Sequence, residues 1–417
     1  MRRVARLGTF VLAATCGATL PFAAAQALTI TVDYTYDSYF STNLTARYAL
    51  EAAAADLSAA VTTSLTPLTT DLFVGNSGAT TATFDASVGF NNPSTGVATT
   101  WETLRTNADE VKLFVGWRPL PGVTVGVGGP AGAGAAIGVS GNPAQFAAAV
   151  GNAAANTQTA LMRGGGPQIG TLDGYVGDTY FSVNYGVSYG ALAFDNDTNN
   201  DSAIDSAAQL NAFWHFDHTT SVVAGKTDLY SVALHEMLHA IGLGGSASWD
   251  AYVSGTTWTG PHVIALVGSG VGLLAPDGDH IASSTMSTRI SDGGVQEAVM
   301  DPSLTTGTRK YLTALDLAFL RDIGHTTITP TIPGDFNNNG VVNGADLTVW
   351  KTWFGVNANA DANNDGKSDG ADFLIWQRNR SAAATATIAA VPEPTGVLLV
   401  LTAGVLVAVR AAGAGAI

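Results

Sequence analysis

The segment His235-Glu236-Met237-Leu238-His239 holds the residue types and the spacing from which a reaction centre can be built. On an α-helix, side chains four residues apart project from one face a single turn apart. Two imidazoles so placed converge on one tetrahedral zinc ion, while Glu236, one position around, reaches a water beside the ion. Such a zinc ion polarises a water and a carbonyl, and Glu236 takes the water's proton and returns it to a leaving amine. The alternative is a chance spacing in an ordinary buried helix. Val232, Ala233, Leu234, Met237, Leu238 and Ile241 do make the helix apolar on nearly every face. Two histidines buried there without a metal would need other polar partners.

The longer string His235-Glu-Met-Leu-His239-Ala-Ile-Gly242-Leu-Gly-Gly245 resembles the metzincin clan of zinc peptidases. In that clan a glycine after the second histidine ends the helix and lets a third ligand approach from beyond it. Gly242 matches, but Gly245 stands where the third ligand of the short pattern would be. The arrangement is similar to that of leishmanolysin-like members, which carry an insertion before the third histidine. Candidates for that ligand are Asp250, His262 and His280. His280, in Pro276-Asp277-Gly278-Asp279-His280, is favoured because it follows the variable stretch and precedes Met300-Asp301-Pro302, which resembles the clan's methionine turn. Met286 is the rival methionine, and Tyr311 is a candidate for polarising a substrate carbonyl. Asp316 and Asp322 are read as helix caps or anchors, and His215 and His218 as surface or core-edge residues. The resemblance implies an α+β zinc peptidase domain over residues 28–325, with Glu236 as general base and a protein or peptide substrate.

The elements that must position these residues are partly visible in the hydrophobic pattern. Ile30, Val32 and Tyr34 alternate as in a strand, and residues 43–65 space their leucines as a helix that packs on a sheet. Val111 to Val115 is the clearest strand, whereas the Ala-rich stretch 142–161 is compatible with a loop or a helix. Helices are also expected over 206–217 and 312–323. The run Asp195-Asn196-Asp197-Thr198-Asn199-Asn200-Asp201 has oxygen side chains at alternate positions, a pattern that can wrap calcium. It lacks the glycine and the closing acid of such loops, so a solvated loop is the reading preferred.

A linker, 326–333, leads into an internal repeat. Oxygen-bearing Asp335, Asn337, Asn339, Asn343 and Asp346, with Gly340 at the sixth place and the carbonyl of Val341 at the seventh, are echoed by Asp361, Asn363, Asp365, Asp369 and Asp372, with Gly366 and Lys367. These are the positions a calcium ion requires of an EF-hand loop, although each loop closes on Asp instead of Glu. Two in-register copies, each running into a short helix, resemble the dockerin type I domain. That resemblance implies a small all-α, EF-hand-like domain over 334–380, two Ca²⁺ sites, weaker binding at the Asn-rich first loop, and a cohesin-like protein partner.

Residues 1–27 combine Arg2, Arg3 and Arg6 with an apolar stretch and an Ala25-Gln26-Ala27 end, the layout of a secretory signal peptide. The single cysteine, Cys16, lies within it, so the mature chain has no disulfide, cysteine ligand or thiol nucleophile. With 18 basic against 33 acidic residues, a nucleic-acid backbone or anionic membrane surface is excluded as the main partner. After a linker at 381–390, Pro392-Glu393-Pro394, an apolar run and Arg410 resemble a PEP-CTERM sorting signal over 391–417. That resemblance implies a transmembrane helix as the sole membrane contact, an exosortase-type processing enzyme, and a secreted or cell-surface location in a Gram-negative bacterium. The competing functional reading is a catalytically inactive surface or adhesion protein docked through its C-terminal modules.

Overall fold

A computed structural model describes residues 28–329, 332–338, 342–363 and 365–380. The expected signal peptide and sorting segment lie outside these residues, as do Asn339 and Val341 of the first repeat loop. Among the described residues no helix is long and apolar enough to cross a membrane, and the expected transmembrane helix is withdrawn on that finding. The physical reason is length: a bilayer core takes about 20 apolar residues as a helix, and the longest described helix has 17, with Arg47, Glu51 and Asp56 along it.

The fold is a mixed α+β body with helices at its C-terminal end. Its principal sheet has the order β1 (Thr29–Asp33), β5 (Glu110–Arg118), β10 (Tyr189–Asp195) and β6 (Gly126–Pro130). The first three strands run parallel, and β6 is antiparallel at the edge. Strand β5 is covered on both faces. Val111, Leu113, Val115 and Trp117 enter the main core with helices α1 (Leu44–Ala60) and α4 (Leu229–Ala240), while Phe114 enters a second core on the opposite side. That two-sided burial explains why its sequence is nearly continuously apolar.

The second core belongs to strands β2 (Leu72–Ser77), β3 (Thr80–Asn91), β4 (Ala98–Trp101) and β7 (Gly132–Ser140), and to the hairpin of β8 (Gln168–Val176) and β9 (Thr179–Gly186). Along β3 the residues Thr80, Ala82, Phe84, Ala86, Val88 and Phe90 all point inward, the period-2 pattern of a one-face strand. The Ala-rich stretch is a helix, α2 (Phe146–Leu161). It sits so close to the sheet that a Cβ on Gly75 would fall 2.0 Å from the Ala153 nitrogen, and its buried Ala149, Ala153 and Ala154 permit that approach.

The expected helix over 43–65 ends early, at Ala60. Val61 turns extended and pairs with Thr327, and the β-branched run Val61-Thr62-Thr63 favours that departure. Likewise α3 spans only Ala207–Phe213, because Trp214–His215 pairs in parallel with Thr227–Asp228. Beyond α4 come a single turn α5 (Ala247–Asp250), α6 (Pro261–Val267) and α7 (Ala314–Asp322), then α8 (Gly344–Trp353) and α9 (Gly370–Asn379) at the C-terminal end. Trp376 of α9, with Val342 and Ile332, packs against Ala314.

Candidate metal centre

Helix α4 owes its start to Asp228, whose carboxylate accepts the Ser231 N–H at 3.1 Å and is itself held by Arg309 at 2.7 Å. Both members of this ion pair are buried, so removing either would leave the other charge uncompensated. The helix is buried at Leu229 to Leu234 and at Glu236 to Leu238, which fixes its rotation and leaves His235 and His239 half-buried on one side. It ends at Ala240, and the chain then turns through Gly242 and Gly244, both at positive φ. Gly244 has φ +72°, and a Cβ there would come within 2.9 Å of the His239 ring. A side chain at this position would therefore collide with the site.

The structure brings His235, His239 and His280 together. His239 Nε2 lies 3.2 Å from His235 Nε2 and 3.1 Å from His280 Nε2. Three nitrogens about 2.05 Å from a tetrahedral zinc ion would be separated by roughly 3.3 Å; the two separations from His239 match that, and all three ligand nitrogens lie within 4.8 Å of one another.

The protonation pattern fits as well. His235 Nδ1 meets the Val299 carbonyl at 2.8 Å, His239 Nδ1 meets the Leu243 carbonyl at 2.8 Å, and His280 Nδ1 meets Asp277 Oδ2 at 2.9 Å. All three acceptors are oxygens without protons, so each ring donates from Nδ1 and presents a bare Nε2 lone pair. Three lone pairs facing one another cannot hydrogen-bond among themselves; a cation is the partner that satisfies all of them. Burial, reinforced by the neighbouring histidines, pushes His235 well below the ordinary imidazole range, and burial with His280 beside it takes His239 down to about 3. Both rings are therefore neutral ligands at neutral pH.

The other two candidates for the third position do not join the cluster. His262 begins α6 and pairs through Nδ1 with Asp322 at 2.9 Å, and Asp250 is solvent-exposed at the end of α5. Tyr311 packs against Tyr230, ring centres 5.7 Å apart, near the start of α4 and beside Arg309. Of the two methionines, Met300 is fully buried and directly follows Val299, whereas Met286 is 47% exposed on a short strand.

Glu236 lies beneath the edge strand β6. Its carboxylate receives the Gly128 N–H, and burial raises its pKa to about 8 against that hydrogen bond. A carboxyl group poised near neutrality suits proton transfer in either direction. The strand can lie this close only because it carries no side chains on that face: a Cβ on Gly126 would be 2.8 Å from Glu236 Oε1, and one on Gly128 would be 2.5 Å from the Glu236 carbonyl.

Asp316 is the helix cap and anchor expected of it: it accepts the Val299 and Met300 N–H groups at 3.1 and 3.3 Å on Oδ1, and Thr313 on Oδ2. Sequence reasoning missed two contributors: Asp277 as the group orienting His280, and strand β6. Glycine at alternate positions 126 and 128 was the available signal for β6, since it marks a strand face approached by another backbone.

Of the repeat residues, Asp346 and Asp372 are fully buried and cap α8 and α9 reciprocally with Asn343 and Asp369. Asp335 is buried, while Asn337, Asp361, Asn363, Asp365, Lys367 and Asp369 are exposed or half-buried. Comparisons with protein-family models, with curated proteins and with solved structures give no match to this chain.

Proposed function

We propose that the chain is an exported zinc-dependent endopeptidase. The observation that carries this reading is the convergence of three bare Nε2 lone pairs beside a buried carboxylate on the same helix. A zinc ion held by His235, His239 and His280 would supply Lewis acidity, lowering the pKa of a water to near 7 and polarising a carbonyl. Glu236 takes the proton of the attacking water as its oxygen bonds to the peptide carbon, and delivers that proton to the amine as the C–N bond breaks. Asp277, Val299 and Leu243 keep the three imidazoles in the tautomer that leaves Nε2 free. Strand β6 excludes water from the inner side of Glu236.

The metzincin resemblance of residues 235–242 and 300–302 supports the peptidase assignment over other metal-dependent hydrolases. The dockerin-like repeat is read as two Ca²⁺ sites and a docking module for a cohesin-like protein. In its second loop, Asp361 accepts the N–H groups of Asp365 and Gly366, as a first-position ligand of an EF-hand loop does. Export to the cell surface or medium of a Gram-negative bacterium, with processing by an exosortase-type enzyme, rests on the terminal sequence motifs.

The test is the purified full chain assayed on casein together with its zinc content. The parent should carry about one zinc per chain, and Glu236→Ala should keep that zinc while hydrolysis disappears. An active Glu236→Ala protein would rule the mechanism out, and a zinc-loaded parent that cuts no protein would favour the inactive surface-protein reading.

A further inference from the structure

The loop between β10 and α3, distant in sequence from the repeat, has the internal hydrogen bonding of the second repeat loop. Asp197 accepts the Asp201 N–H at 3.0 Å and the Ser202 N–H at 3.0 Å, as Asp361 accepts those of Asp365 and Gly366. Asn199 accepts the Asp201 N–H at 3.1 Å and Asp201 accepts the Ala203 N–H at 2.9 Å, matching Asn363 with Asp365 and Asp365 with Lys367. Ser202 takes the left-handed φ of +70° that Gly366 takes at +86°. Residues 197, 199, 201 and 205 thus occupy positions 1, 3, 5 and 9 of a calcium loop whose glycine has become serine.

Burial and unpaired oxygens point independently to a ligand. Asp195, Asn196, Asp197 and Asp205 are only 3–7% exposed, so the two ends of the loop are buried, while Asn199 to Ile204 are exposed as the sequence led one to expect. Asp205 Oδ2 holds the Thr198 N–H at 2.9 Å, but its Oδ1 is buried with no hydrogen-bond partner among the described residues. Asn196 Oδ1 is buried and unpartnered too, and the two residues are adjacent, the Asp205 N–H donating to the Asn196 carbonyl at 2.7 Å. Two orphaned acceptor oxygens on residues joined by a backbone hydrogen bond within an acidic loop are costly unless a cation meets them. Burial raises Asp195 above the ordinary carboxylate range, and the nearby charges of Asp197 and Asp205 add to that.

We propose that residues 196–205 form a calcium site: the side-chain oxygens of Asp197, Asn199, Asp201 and Asp205, the carbonyl of Ala203, and Asn196 Oδ1. The twelfth position is Ala208, so Asn196 supplies an oxygen where the bidentate acid is lacking. The site is separate from the histidine cluster, yet it bears on it mechanically. Asp195 accepts the Leu120 N–H at 2.9 Å and Asn200 donates to the Gly122 carbonyl at 2.8 Å, so the loop holds the segment that leads into β6 and hence to Glu236.

The test is hydrogen exchange of the full chain, zinc present throughout, with calcium removed and then restored. Peptides covering 195–206 should exchange about tenfold more slowly at calcium roughly ten times its dissociation constant. Asp205→Asn and Asp197→Asn, which keep side-chain oxygens but lower the charge, should move the midpoint of that protection to roughly tenfold higher calcium. Protection confined to the C-terminal loops, with 195–206 unchanged, would overturn the proposal, as would an Asp205→Asn protein with the parent's midpoint at 195–206.

Discussion

Asp277 Oδ2 sits 2.9 Å from His280 Nδ1, and this hydrogen bond draws the Asp277 carboxyl down to about 2. His280 comes from a loop, whereas its two partners stand on a helix; Asp277 supplies the orientation that a helix backbone would otherwise provide. Asp277→Ala should weaken zinc affinity about 10- to 100-fold, with Asp277→Asn between that variant and the parent. Competition with a chelator of known affinity measures this, and an Asp277→Ala protein holding zinc as tightly as the parent would deny the orienting role.

The three ligand candidates separate cleanly by zinc content. His280→Ala should lose most of its bound zinc after dialysis, because two imidazoles make an incomplete tetrahedral site. His262→Ala and Asp250→Ala should retain it, His262 being engaged with Asp322. Retention in His280→Ala with loss in either of the others would reassign the ligand.

Neighbouring glycines of β6 predict opposite outcomes. Gly128→Ala places a methyl 2.5 Å from the Glu236 carbonyl and 2.7 Å from its Cβ, whereas Gly129→Ala meets nothing within 4 Å among the described residues. The first should lower stability by about 1–3 kcal/mol through overpacking and abolish hydrolysis, and the second should leave both nearly unchanged. Thermal melts and casein assays on the pair decide it; equal behaviour would mean that β6 does not press on the helix.

His325 makes stability depend on pH. It is buried between Thr63 and the Ile241 carbonyl, and burial lowers its pKa to about 4. Unfolded, it would titrate near 6.5, so between those values the unfolded chain binds a proton that the folded one refuses. Its contribution is fully present above pH 6.5 and falls by on the order of 3 kcal/mol as pH drops to 4, then levels off. Urea melts of metal-free parent and His325→Gln should show a shallower pH dependence for the variant; parallel curves would refute the assignment.

The parts of the centre legible in the sequence were those set by local periodicity. His235, Glu236 and His239 follow from helical spacing alone, and the strands around Val32 and Leu113 from their apolar patterns. His280 was reached through the order of the motifs along the chain. What stayed hidden depends on contacts across long separations, Gly128 against Glu236 above all, and on the burial of Asp205. No local pattern encodes which backbone will lie against a given face. The early end of α1 is of the same kind, since Val61 leaves the helix to pair with Thr327, beyond the last helix of the main body.

Asp316 joins the start of α7 to the backbone of Val299 and Met300, and through the Val299 carbonyl to His235. In a chain made from its N-terminus, the two helix histidines emerge well before the carboxylate that anchors their support. Until α7 has formed and docked, His235 lacks a fixed acceptor for its Nδ1 proton and the ligand set stays unaligned. Alignment of the three rings thus waits on the docking of α7, so the order of synthesis sets the order in which the cluster is assembled.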